Sequence, residues 1–144
     1  MIEMNLKNWL VWGLIMADKS LEILQNVKDT TIEIINLIGE ENDAIVNKNF
    51  KAFKSILSRK YNLMRSYDAL SLELSEIVGE LKKTNPEELN ELVDLTQKLN
   101  DACDVNTKLL SHEQEIALNI IDIMKEVASE SAKTDNSSFM SVKA

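Results

Sequence analysis

Cys103 and His112 are the only cysteine and the only histidine in the 144-residue chain, and nucleophilic, redox or metal chemistry would have to start from them. A lone cysteine cannot form an internal disulfide, and Cys103 falls on an apolar helical seam, where it reads as a small buried hydrophobe. A reducing compartment fits that usage. His112 lies nine residues further along one helical run, so it cannot face Cys103 as a base faces a nucleophile. A di-metal bundle needs Glu-x-x-His, but position 109 is Leu109. His112-Glu113 begins like the zinc-protease pattern H-E-x-x-H, but Ile116 stands where the second histidine should be. Lys108, four residues before His112, leaves a phosphorelay-type histidine as a weak alternative. The carboxylate pairs Glu40-Glu41 and Glu87-Glu88 are adjacent in sequence and point in different directions on a helix. There is no glycine-rich phosphate loop. The expectation is a non-enzymatic protein with no cofactor and no metal.

The elements that would carry these residues are long helices. Three glycines and one proline in 144 residues, with 44% apolar and 28% charged residues, fit a helical bundle or coiled coil and not a sheet protein. From Pro86 to about Ser131 the positions Leu89, Leu92, Thr96, Leu99, Cys103, Asn106, Leu110, Glu113, Ala117, Ile120, Met124 and Val127 recur in alternating steps of three and four. That is a coiled-coil seam with two polar members, Asn106 and Glu113, whose plain role is to fix register. A first helix is expected over 18–47, capped by Asp18 or Ser20, with the stripe Leu24, Val27, Thr31, Ile34, Ile38, Glu41 and Ile45. Ile35 and Leu37 widen that stripe, enough to touch two neighbours. Asn47-Lys48-Asn49 reads as a break. A second helix follows over 50–83, with Phe53, Ile56, Lys60, Leu63, Tyr67, Leu70, Leu74, Ile77 and Leu81 on one face. Thr84-Asn85-Pro86 is the clearest loop: Pro86 suits a first helical turn, and Glu87 and Glu88 suit the positive end of the helix. Short loops make the neighbours antiparallel. The expected fold is all-α, an elongated antiparallel three-helix bundle over 18–132.

The ends are less regular. Residues 1–17 form an apolar segment, a separate turn or the start of the first helix, with Gly13 weakening it by roughly 1 kcal/mol. Trp9 and Trp12 would either cap one end of the core or stand exposed as a partner-binding or self-association patch, since tryptophan is enriched at binding hot spots. The apolar run Trp9–Ala17 is too short to span a bilayer, which needs about 20 residues, so stable membrane insertion is not expected. One lysine precedes it and no small-x-small signal follows, so no signal peptide is expected either. Residues 133–144 lose the periodicity and read as a flexible tail with an apolar knot at Phe139, Met140 and Val142.

The formal net charge of −8 makes nucleic acid an improbable partner for the surface as a whole. Charge is uneven. Residues 86–132 hold eleven acids against three lysines, while 51–65 hold Lys51, Lys54, Arg59, Lys60 and Arg65 and no acid. The expected cause is complementary charge between neighbouring helices; a basic patch for an acidic partner is the alternative.

Two stretches resemble the FlgN family of flagellar type III export chaperones. The first is LIGEENDAIVNKNFKAFKSILSRKYNLM, residues 37–64, with Glu41, Ala44, Ile45, the polar break, then Lys60 and Leu63. The second is LNDACDVNTKLL, residues 99–110, with Asn100, Asn106, Leu109 and Leu110. The order and spacing of the helices agree over about residues 20–130. The tryptophans at 9 and 12 are not part of the family pattern. The resemblance implies a cytoplasmic chaperone that binds the C-terminal region of hook-filament junction (hook-associated) proteins. It would prevent their premature assembly and deliver them to the export gate. The residues themselves place partner binding on the C-terminal half of the third helix, at Ile116, Ile120, Ile121, Ile123, Met124 and Val127, with Trp9 and Trp12. Leu118 adds to the apolar surface there, which is wider than one neighbour requires. The competing expectation is that this end is covered by the first helix and the tryptophan segment. A structural, self-associating coiled-coil protein is the alternative function.

Overall fold

A computed structural model describes residues 6–143, with side chains for all of these except 16, 17 and 134–143. It contains three helices: α1 (Leu6–Val46), α2 (Phe50–Thr84) and α3 (Pro86–Lys143). The all-α bundle read from the periodicity is the fold observed. The chain divides into two compact units, Met1–Asn106 and Thr107–Ala144.

In the first unit every member of the α1 stripe is buried, from Leu24 through Glu41 to Ile45. Three clusters form the core. Leu24 and Val27 meet Leu81 of α2 and Leu92 of α3, with Tyr67, Leu70, Leu74 and Ile77 packed around them. Ile34 and Ile38 meet Leu99, with Leu63, Tyr67 and Cys103 beside them. Leu37 and Ala44 meet Ile56, with Phe53 at the edge. Leu37 is therefore the second-neighbour contact that the widened stripe required. Each fully buried aliphatic side chain here contributes about 1.5–3 kcal/mol relative to exposure. Thr31, also buried, satisfies its hydroxyl by donating to the Val27 carbonyl at 2.6 Å, so it breaks the apolar stripe without leaving an unmet polar group.

The turns are local devices. Asn47 and Lys48 close the end of α1, and Lys48 takes a left-handed φ of 58°. Asn49 caps α2, its side chain accepting from the Ala52 amide at 3.2 Å. One residue, Asn85, separates α2 from α3; its amide donates to the Leu81 carbonyl at 2.8 Å and its carbonyl accepts from Leu89 at 3.1 Å. Pro86 is the first residue of α3, and Glu87 and Glu88 occupy its first turn. Two cross-links fix α1 against the first part of α3: Lys28 to Glu91 and Asn42 to Asn106. The offset changes only from 63 to 64 residues between them, so the two helices run parallel, with α2 antiparallel to both.

Of the two readings of the N-terminal segment, a separate turn or the start of the first helix, the described residues show the second: α1 begins at Leu6, so Asp18 and Ser20 are not its N-cap. They lie inside α1, and Ser20 is buried. Leucine, isoleucine, methionine and alanine in 6–17 outweigh the single glycine in helix propensity. The helix expected to end near residue 131 continues to Lys143. After Pro86 no glycine or proline interrupts it, and the small polar residues of 133–143 lower helix propensity without breaking the backbone. The side chains of Phe139, Met140 and Val142 lie outside the described residues, as do residues 1–5 and 144.

Candidate interaction surfaces and a buried polar node

Three stripe positions that are not apolar, Glu41, Lys60 and Asn106, come together in the first unit, one from each helix. The Lys60 ammonium donates to both carboxylate oxygens of Glu41, at 3.2 and 2.9 Å, and to Asn106 Oδ1 at 3.3 Å. Its three protons thereby meet three acceptors. Asn106 Nδ2 donates onward to Asn42 Oδ1 at 2.9 Å. The lysine contact fixes which end of the Asn106 amide is oxygen, because the reverse would set its NH2 against an ammonium. Glu41 is 0% exposed and the Lys60 side chain only 12%. A carboxylate so placed is tolerated because a full positive charge sits beside it. Glu40 points elsewhere, towards Arg59 at 4.0 Å on the surface. The adjacent carboxylates therefore diverge as helix geometry requires and form no acid–base pair. Lys60 and Arg59 also show what part of the basic run at 51–65 does: it faces acids of α1.

Cys103 packs beside Ile34 and Ile38, partly buried. Burial pushes its thiol above the ordinary value; the nearby Lys60 charge pulls it down, and Asp104 and Glu41 add to the rise. Such a thiol is a poor nucleophile at neutral pH. His112 is exposed. Among the described residues, no three His, Cys, Asp or Glu side chains are placed to hold a metal ion.

Two apolar surfaces remain. On α1, Trp9 is 61% and Trp12 56% exposed, with Leu6, Leu10, Val11, Leu14 and Ile15 exposed around them. The tryptophans thus do not cap the core. The register explains this: Leu24 and Val27 already meet the α2–α3 end at Leu81 and Leu92. The first turns of α1 lie N-terminal to that level. Among the described residues no helix is long and apolar enough to cross a membrane.

The second surface is on α3. Its seam is buried at Leu92, Leu99 and Asn106, the last residue of the first unit. In the second unit the same periodicity continues, but Ile120, Ile121, Ile123, Met124 and Val127 are 46–64% exposed, with Leu118 also exposed and Ile116 half-buried. At 100° per residue, Ile123, Ile116, Val127, Ile120, Met124, Ala117 and Ile121 fill an arc of roughly 160°.

The node went unforeseen as a unit, although each member stood out as a polar residue in an apolar stripe. The signal that could have found it is charge: one acid, one base and one amide, each within a seam of a different helix.

No family model matches the chain, and neither the curated proteins nor the solved structures contain a match.

Proposed function

We propose that the chain is a cytoplasmic helical chaperone of the FlgN-like type. It would cover the C-terminal helical segment of hook-associated flagellar subunits and hand them to the export gate. The observation that carries this reading is the wide apolar face of α3 at 116–127, exposed on a helix whose earlier seam is buried. A segment that self-associates after export is itself amphipathic, and an apolar helical face can cover it reversibly at moderate affinity. Glu41, Lys60 and Asn106, which are among the residues that carry the family resemblance, join the three helices within the first unit. Capture of hook-associated subunits by the immobilised protein, with and without their C-terminal segments, tests the proposal; capture that survives removal of the segment counts against it. Ile121→Glu and Ile123→Glu should melt like the wild type, because both side chains are exposed, and should lose the client. A second reading, a self-associating coiled-coil protein, is favoured by the exposed tryptophans of α1. Sedimentation of the isolated chain as a stable oligomer needing no client would support it.

A further inference from the structure

Among the described residues of the first unit, neither α2 nor α3 runs beside the start of α1. Lys28 pairs with Glu91, 63 residues on, and by that offset Pro86 at the head of α3 comes level with Ile23. Past the α2–α3 turn, α1 projects alone by about 25 Å to Leu6. The seven apolar side chains of residues 6–15 are 47–76% exposed. At 100° per residue they leave no gap wider than about 60° around the helix. The only polar side chains in this stretch are Lys7 and Asn8. A helix that is apolar on every side belongs in surroundings that are apolar on every side. We infer that residues 6–15 immerse in one leaflet of a lipid bilayer without crossing it. The inference stands apart from client binding on α3.

Other occupants fit less well. A groove or a partner helix covers one side, and a second copy laid on Leu6 would leave Ile15, 180° round the helix, in water. The projecting length offers a copy a strip about 25 Å by about 10 Å; even at twice that projected area, about 500 Å², it falls below the roughly 800 Å² that a stable interface buries per partner. Lipid surrounds the helix instead. Residues 6–15 rise about 15 Å, half of a hydrocarbon core of about 30 Å, so they fill a leaflet and cannot span two. Lys7 and Asn8 lie about 100° apart on one side, and oblique entry turns that side to the headgroups, where a lysine snorkels. Trp9 and Trp12 suit the boundary between headgroups and acyl chains. The lipid is zwitterionic: Lys7 is the only charge in the stretch, and a net charge of −8 repels an anionic surface.

The test floats the full chain with phosphatidylcholine vesicles and follows its tryptophan emission. Trp9 and Trp12 are the only tryptophans of the chain, so the emission reports this segment alone. The chain should float with the vesicles. Its emission should move to shorter wavelength and be quenched by lipid brominated along the acyl chain, equally at about 50 mM and about 500 mM salt. Leu10→Glu and Ile15→Glu alter exposed side chains about 140° apart on the helix and should melt like the wild type. Each should weaken vesicle binding at least about tenfold, because lipid meets both sides. A chain that stays behind with unchanged emission overturns the inference. So does binding that requires phosphatidylglycerol and disappears at high salt, which is adsorption by charge. A shift that appears without lipid and grows with protein concentration shows that a second copy covers the tryptophans, and overturns it too. A loss in only one of the two variants marks a one-sided contact and does the same. Capture of hook-associated subunits is scored separately, so failure here leaves the reading of α3 untouched.

Discussion

At the scale of residues, Glu41 is the most consequential side chain in the first unit. It is wholly buried and its charge is met by one lysine. Taking away one member of such a pair leaves the other without compensation, so Lys60→Met should cost about 3–5 kcal/mol by chemical denaturation. The double variant Glu41→Leu/Lys60→Met should recover most of that loss, because matched apolar groups remove both desolvation penalties at once. Additive losses in the cycle would show that the two charges do not depend on each other. Cys103 gives a second residue-scale prediction. Its thiol titrates above the ordinary range, first because it is partly buried. A raised folded-state pKa means that the associated stability is fully present below the unfolded thiol's pKa. It is lost as pH rises through the folded one, so stability should fall above about pH 9. Alkylation at pH 8 should be slower than for a free thiol; a reaction as fast as in the unfolded chain would contradict the placement.

At the scale of elements, the helices were legible because their stripes repeat without interruption; all seven residues of the α1 stripe are buried as the spacing demands. The break at 47–49 and the turn at Asn85 were legible because asparagine and proline have specific backbone preferences. The start of α1 was left between two readings, a separate turn or a continuous helix, because Asp18 and Ser20 are residue types that cap helices yet sit inside one here. Local type cannot tell a cap from an exposed or tolerated interior position. The meeting of Glu41, Lys60 and Asn106 was also hidden, since periodicity sets which face a residue occupies but not the offset between helices. Glycine offers a test at this scale. A Cβ added at Gly39 or Gly79 would meet nothing within 4 Å, and both lie in helix interiors. Gly39→Ala and Gly79→Ala should each stabilise by about 1 kcal/mol. A loss in either would mean that the glycine serves a contact made by a partner.

At the scale of the molecule, the two units divide two kinds of work. The first contains the three core clusters and the polar links that join its helices, and carries the stability. The second presents apolar side chains at the same helical spacing without burying them. The proposed function depends on that division, since Ile123→Glu can be separated from folding only where the side chain is not core. The polar node has a further consequence for how the chain reaches this state during synthesis. Glu41 and Lys60 are 19 residues apart, whereas Asn106 follows Lys60 by 46. As the chain leaves the ribosome, the α1–α2 hairpin can close its ion pair and the Leu37–Ala44–Ile56 cluster while α3 is still being made. In refolding experiments Ile56→Val should therefore slow folding, and Leu99→Ala should chiefly speed unfolding. If Leu99→Ala retards folding as strongly, α3 takes part in the nucleus and the hairpin does not form first.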